Sequence, residues 1–396
     1  MSFDINVKYP SVEYLRRRAK QRMPRFSYDY LTEGCNEDIN VHKNTAEIRE
    51  VEVLSRYMTD YRESSMKKEL FGEVYDAPFG ISAVGLQGLM WPNSPEILAK
   101  TSKEHNIPFM LSTVTTMSIE ECAKITDGRF WFQLYYPKND EYRKDILKRA
   151  WDNGCRVLCL LADVPTFGYR PRDIYNGFGM PPAMYFRNIV NAATKPTWAI
   201  ETLENGVLPR FKTLEKYMNK GMDLRQLGIF MDDFFDGKLT VDRIKGIQDI
   251  WPGKIVIKGM ASPEDAQTAL DLNVDGVIVS NHGGRQLDAG PSSIATLKPI
   301  LDVLKGKMTV MMDSGMRSGP DIANCIASGA EFCFLGRAWM YGVGALGKKG
   351  GDQVAQILKR EFLQVMQQLN CDKVEHLPDY LIKPAKSIEL PGKVQK

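Results

Sequence analysis

The stretch KIVIKGMASPEDAQTALDLNVDGVIVSNHGGRQLD, residues 254–288, reads as one unit of a repeating fold. KIVIK (254–258) and GVIVS (276–280) are apolar on both faces, the pattern of strands buried from both sides in a parallel sheet. Between them, Ser262 followed by Pro263 opens a helix, with a hydroxyl suited to the cap and a proline suited to the first turn. Directly behind the second strand stand Asn281, His282, two glycines and Arg285, polar residues where a chain leaving a sheet would present them.

The unit recurs along the chain. Runs of strand length at FGISA (79–83), FMLS (109–112), WFQLY (131–135), RVLCLL (156–161), MTVMM (308–312) and FCFL (332–335) bring the number to eight. Helix-opening chemistry follows most of them: Ser94 with Pro95, Ser118 with Glu121, Asn139, Thr240, and Gly319 with Pro320. The last helix is expected over 352–370, where apolar residues recur at helical spacing. Eight strand–helix units predict an α/β fold, a (β/α)8 TIM barrel, with an open doubly wound sheet as the alternative the pattern leaves standing.

Around the barrel, expected over 76–371, three further parts are read. An N-terminal helical segment, 1–75, is expected to pack on it, with Ser11 capping a helix to about Arg22 and Pro24 opening a second that Gly34 closes. From Pro165 to Asp236 no convincing strand appears, which predicts a long insertion at about 165–236 after the fourth strand, a lid or a partner-facing loop. The tail, 372–396, is Lys- and Pro-rich and is expected to fray beyond Pro384.

Composition narrows the function classes. In 396 residues, 52 basic side chains face 49 acidic ones, so the pronounced basic stripe of a nucleic-acid partner is not expected. Seven cysteines without a CxxC pair argue against a disulfide framework or a structural zinc, and a reducing cytoplasm fits them. Asp4 stands where an export signal needs basic residues, and no stretch reads as a spanning helix. Four scattered histidines lack the spacing of a catalytic metal site.

In a barrel the ligand lies at the C-terminal ends of the strands, and unusual polar residues fall there repeatedly. Ser112 ends the second strand, Gln133 and Tyr135 the third, Asp163 follows the fourth, and Lys258 ends the fifth. Asp313, Gly315 and Arg317 follow the seventh, and Gly336 and Arg337 the eighth. Glycines that expose backbone N–H groups beside two arginines make a phosphate cradle. His282, with Asp163 available from another strand, has the makings of a general base near neutral pH. Arg170 and Arg285 can hold one carboxylate, which points to an acid as substrate.

These residues also resemble a family. SNHGGRQLD (280–288), Lys258 in IVIKG, DSGMRSGPD (313–321) and LGRA (335–338) are similar to the motifs of the FMN-dependent α-hydroxy-acid dehydrogenases and oxidases, over nearly the whole chain from YDYLTEG (28–34) onward. SAVGLQG (82–88), PFMLSTV (108–114) and the region of PTWA (196–199) look most like the bacterial L-lactate dehydrogenase branch. The resemblance implies FMN against Ala83, Val84 and Gly85, with Ser112, Gln133 and Lys258 on its ring. Asp313 would take the ribityl chain, and Gly315, Arg317, Gly336 and Arg337 the phosphate. It implies His282 as base oriented by Asp163, with Tyr30, Arg170 and Arg285 on the substrate carboxylate and Tyr135 on the hydroxyl or keto oxygen. Leu161 departs from the family, many members having Thr there to bond the flavin edge.

The expected reaction is oxidation of an L-2-hydroxy acid, L-lactate to pyruvate, with two electrons passing to flavin N5. Gly85, where the oxidase branch more often carries Ala, favours a quinone or cytochrome as electron acceptor over O2 with release of H2O2. An FMN-dependent isomerase and a non-catalytic flavin-binding barrel are the other readings carried. Val84 and Val114, both compact and apolar, are expected beside the substrate's side chain and allow lactate without excluding longer or aromatic acids. Residues 187–225 hold seven Lys/Arg against four Asp/Glu, beside Met184, Tyr185, Phe186 and Trp198, which allows a peripheral contact with the inner face of the cell membrane. A homotetramer is expected from the resemblance alone.

Overall fold

The computed structural model describes residues 4–178, 183–206, 210–219, 221–222 and 224–389. Its centre is a parallel sheet of eight strands: β1 (Phe79–Ile81), β2 (Met110–Ser112), β3 (Trp131–Leu134), β4 (Val157–Leu161), β5 (Lys254–Met260), β6 (Gly276–Val279), β7 (Thr309–Asp313) and β8 (Phe332–Leu335). Each falls on one of the eight apolar runs. The order β1-β8-β7-β6-β5-β4-β3-β2 leaves β1 and β2 at the two ends. A parallel bridge between Ile81 and Phe109 joins those ends, with the Ile81 N–H donating to the Pro108 carbonyl at 2.9 Å. The sheet therefore closes as a (β/α)8 barrel, and the open doubly wound sheet is excluded.

Alternation along each strand divides the core in two. Met110, Trp131, Val157, Cys159, Val256, Ile278, Met311, Phe332 and Phe334 point inward and fill the barrel, while their neighbours in the strands face the helices. A hairpin, Lys68–Leu70 and Glu73–Tyr75, adds Leu70, Phe71 and Tyr75 to the interior cluster. Phe71 packs on Trp131 (ring centroids 5.6 Å apart) and Tyr75 on Phe332 (6.0 Å), residues that begin their strands. The N-terminal end of the barrel is thereby stoppered, and the opposite end is left for ligands.

Helices open largely where cap chemistry places them. Ser118 and Glu121 form a reciprocal capping box, and Asn139, Thr240, Ser262, Ser292 and Ser318 each accept a first-turn backbone N–H. Four expectations need correction. Ser11 precedes the helix Val12–Arg22 without a side-chain capping bond. Ser94 lies inside its helix, whose cap is Asn93. The helix Arg25–Thr32 stops before Gly34, because Glu33 turns extended and gives its carbonyl to Arg285 and Arg337. The chain after Pro384 does not simply fray: the Ile388 N–H donates to the Ala295 carbonyl, and residues 390–396 lie outside the described ones.

Between Pro165 and Asp236 the described residues form helices, Pro171–Asn176, Phe186–Ala193, Pro196–Glu204 and Leu224–Phe234, and no named strand. The segment leaves and returns at one place, since a Cβ on Gly237 would stand 2.1 Å from the Val164 carbonyl. It packs across the mouth of the barrel, where the Trp198 indole N–H donates to the Met90 carbonyl at 2.9 Å and its ring meets Phe26 edge-on.

Truncating an interior ring should test how tightly the barrel is filled. Phe332, fully buried between Tyr75 and Phe334, is expected to cost about 3–5 kcal/mol on substitution by Ala. Urea denaturation checks this, and a loss below about 1 kcal/mol would mean that the interior collapses around the gap.

Candidate active site

Four strand ends meet around one buried cation. Lys258, 3 % exposed, places its Nζ 3.2 Å from Asp313 Oδ2 and 3.7 Å from Asp163 Oδ2, and donates to the Ser280 hydroxyl at 2.9 Å. Burial alone would lower the lysine, but the carboxylates of Asp163 and Asp313 outweigh it and hold the ammonium above its ordinary range. Asp163 is the reciprocal case: burial pushes it up, and Lys258 and His282 more than reverse that, so it stays ionised below the usual carboxylate value. A bulge at Gly259 makes the approach possible. Its φ is +97°, and a Cβ there would stand 2.5 Å from the Asp163 Cβ.

Asp163 Oδ1 lies 3.1 Å from His282 Nδ1, which sets the tautomer with Nδ1–H toward the carboxylate and leaves Nε2 for the cavity. His282 holds a left-handed backbone (φ 56°), followed by Gly283 and Gly284 at 67° and 76°. Such a turn persists only if its surroundings over-determine it. Asn281 supplies part of that constraint: its Oδ1 accepts the Gly284 N–H at 3.1 Å, and its amide donates to Asn44 at 2.8 Å and Asn40 at 3.0 Å. Both partners lie on the N-terminal helix Ile39–Ile48.

Beside the histidine is a seat for an anion. The Tyr30 ring lies 4.8 Å from the Arg285 guanidinium and 5.5 Å from that of Arg170. Arg285 donates to the carbonyls of Tyr30 and Glu33, each at 2.7 Å, and Arg170 Nε is 3.1 Å from Asp173 Oδ2. Burial and then Arg170 depress Arg285, the signature of two cations sharing a desolvated site. Tyr135 faces the same space, its phenol held above the ordinary range by burial, Tyr30 and Asp163.

At the other end stand Arg317 and Arg337, whose guanidinium groups donate only to backbone carbonyls among the described residues: Met316 for the first, Leu31, Gly283 and Glu33 for the second. Burial, Arg317 and Arg285 push Arg337 down to about 9. Two helices, Gly319–Ala327 and Arg337–Leu346, start here, and at Gly336 a Cβ would meet only Val84, at 3.4 Å. Cations without a protein acid, helix N-termini and a glycine wall fit a phosphate, and the buried lysine at the far end fits a polarisable ring. The donor set thus matches FMN.

A cavity of about 510 Å³ joins these parts. It is lined by Tyr30, Ala83, Val84, Gly85, Gln133, Tyr135, Arg170, Lys258, His282, Arg285, Asp313, Gly315, Arg317, Gly336 and Arg337. Two residues singled out in the sequence stand behind that wall. Asp163 reaches it through His282, and Ser112 is buried with its hydroxyl accepting the Val114 N–H at 3.3 Å. Leu161, paired with Lys258 across β4 and β5, is also outside the lining. Sequence reading missed Ser280, whose hydroxyl takes both Lys258 and the His282 N–H, although it ends an apolar run as the other site residues do. It also missed Asp173, three residues after Arg170, and Glu33, which no pattern marks.

A family model described as FMN-dependent dehydrogenase matches residues 19–384. An L-lactate dehydrogenase of Pseudomonas syringae pv. syringae (strain B728a) is 34% identical over 365 residues, covering 91% of this chain and 95% of the relative. An (S)-mandelate dehydrogenase of Pseudomonas putida is 33% identical over 372 residues, 94% of this chain and 93% of the relative. A crystal structure of the monotopic membrane protein (S)-mandelate dehydrogenase superposes with a TM-score of 0.88 at 33% identity, covering 94% of this chain and 98% of that one.

The lowered Arg337 makes anion binding pH-dependent in a stated direction. The guanidinium keeps its proton below about 9 and loses it above, so FMN affinity should hold to pH 8 and fall several-fold by pH 10. Titrating apoprotein with FMN by fluorescence quenching reads this, and Arg337→Met should bind weakly without the upper limb. An upper limb of unchanged size in that variant would assign the loss to another group.

Proposed function

This chain belongs to the FMN-dependent dehydrogenase family, and we propose that it oxidises L-lactate to pyruvate at this cavity and hands the electrons to a quinone or cytochrome. It is an FMN-dependent α-hydroxy-acid dehydrogenase, in keeping with its family and its lactate and mandelate dehydrogenase relatives. The observation that carries the proposal is the pairing of His282 with ionised, buried Asp163 in the same cavity as the Arg170–Arg285 seat.

FMN, when bound, supplies the acceptor of two electrons from the substrate's α-carbon. The chain supplies everything that aims the substrate. Arg170 and Arg285 take the carboxylate as a forked pair, with Tyr30 between them. Tyr135, protonated at working pH, donates to the substrate's oxygen. His282 Nε2 accepts the substrate's proton, and the imidazolium that results is stabilised by Asp163 at 3.1 Å. Lys258 keeps a fixed positive charge against the ring end of the cavity, and Gln133 lines that end with it.

A larger or aromatic 2-hydroxy acid is the second reading, and one feature favours it. Beyond Val84 and Val114, the cavity wall continues through Phe178, Met184, Phe211, Met231 and Phe235, all from the insertion or its return. Such a wall can bury an aryl group. Anaerobic addition of L-lactate and (S)-mandelate to the yellow holoenzyme separates the two, since the preferred acid bleaches the flavin at the lower concentration. Admitting air then separates acceptors: slow recolouring supports a dehydrogenase, and rapid recolouring with peroxide supports an oxidase. His282→Gln is expected to retain FMN while bleaching slows by a factor on the order of 10²–10⁴. Normal reduction in anaerobic stopped flow would remove His282 from its role.

Membrane contact is the part of the proposal that rests on the insertion. Its helix Phe186–Ala193 leaves Phe186, Ile189 and Val190 79 %, 54 % and 48 % exposed on one side, with Arg187 and Lys195 adjoining. Among the described residues no helix is long and apolar enough to cross a membrane, so the contact would lie in the interface. The protein is expected to sediment with anionic liposomes at low salt and to be released by salt. Remaining in the supernatant while a known peripheral protein sediments would refute the contact.

A further inference from the structure

Behind the anion seat lie two buried carboxyl groups that the reaction does not use. Glu33 is 1 % exposed and Asp173 3 %. Glu33 follows the helix Arg25–Thr32, and Asp173 lies on the helix Pro171–Asn176. The Glu33 carboxylate accepts two backbone N–H groups of that helix, from Arg172 at 2.5 Å and from Asp173 at 2.9 Å. Asp173 is placed otherwise. Both of its carboxyl oxygens are buried and accept no hydrogen bond, and its charge is met by Arg170 Nε at 3.1 Å and Arg285 Nη2 at 4.0 Å.

Two ionised carboxylates cannot share so dry a space cheaply, and one proton resolves the conflict. Asp173 lies against two guanidinium groups, those of Arg170 and Arg285. Glu33 has the flank of Arg172, whose Nε is 3.8 Å away and whose terminal nitrogen is already bonded to Asp38, and the weaker, longer-range pull of Arg170 and Arg285. Arg285 and Arg337 also approach Glu33, but through its backbone carbonyl. A proton on the Glu33 carboxyl turns an acceptor into a donor beside the unbonded oxygens of Asp173.

We propose that the buried Glu33 carboxyl takes up a proton beside Asp173, and that this proton sets the charge of the arginine pair that receives the substrate's carboxylate. The inference rests on the reading of Arg170 and Arg285 as that seat. With Glu33 protonated, the two arginines and Asp173 leave one net positive charge for a monocarboxylate. With Glu33 ionised the seat is neutral and holds the acid less well. Glu33 and Asp173 are positioning residues here, acting through the arginines. Burial first and Asp173 second raise Glu33 to about 7, against the opposing Arg172 N–H, so the change falls across neutrality.

The test is the affinity of FMN-loaded protein for pyruvate, read from the flavin spectrum between pH 5.5 and 8.5. In the parent protein the dissociation constant should rise on the order of tenfold across the range. In Glu33→Gln, which imitates the protonated acid, it should stay near the low-pH value. Glu33→Gln should keep the FMN content and the far-UV circular dichroism of the parent, which a general loss of structure would not leave. Parallel profiles in parent and variant, or a flat parent profile, would overturn the proposal. If Glu33→Gln does not fold, Asp173→Asn serves: without its neighbour, Glu33 should titrate at lower pH, and a break that stays in place would also overturn it. Unchanged pyruvate affinity in Arg170→Met would mark failure of the seat itself, a result distinct from parallel profiles and fatal to both readings.

Discussion

The ammonium of Lys258 is the interaction on which the site depends. A cation buried to this depth is unstable unless anions surround it, and here they come from two other strands, Asp163 after β4 and Asp313 at the end of β7. The two carboxylates hold the lysine ionised, and the lysine does the same for Asp163. Asp163 in turn orients His282, and Ser280 ties the lysine to the backbone N–H of the same histidine. Chain segments more than a hundred residues apart are thus coupled at the point where a proton must be handled.

The fold was legible because strands buried on both faces write themselves as unbroken apolar runs. Closure was not legible in the same way, since it rests on Ile81 pairing with Phe109, two residues that would look alike in an open sheet. The helix Ile39–Ile48 escaped the sequence reading for a physical reason. Its buried side carries Asn40 and Asn44, whose side-chain oxygens accept the Asn281 amide, so the helix shows little apolar periodicity while bracing the histidine turn.

The site was legible to the extent that its residues follow strands. Gln133, Lys258, His282, Arg285, Asp313 and Arg337 all stand there, and the barrel gathers them without further instruction. Ser112 also ends a strand, yet its hydroxyl is turned to the Val114 N–H, and position alone could not reveal that. Glu33 and Asp173 are 140 positions apart and meet only because the insertion folds back on the N-terminal segment. A contact made by the crossing of two loops leaves no period and no spacing in the chain.

The hairpin carrying Phe71 gives the barrel a floor. A vessel with a floor has one door. Among the described residues the cavity is bordered on its other side by the insertion, so a molecule that enters from that side passes beneath it. The insertion, with Met184 on the inside and Phe186 on the outside, thus has one face toward the ligand and one toward the surroundings.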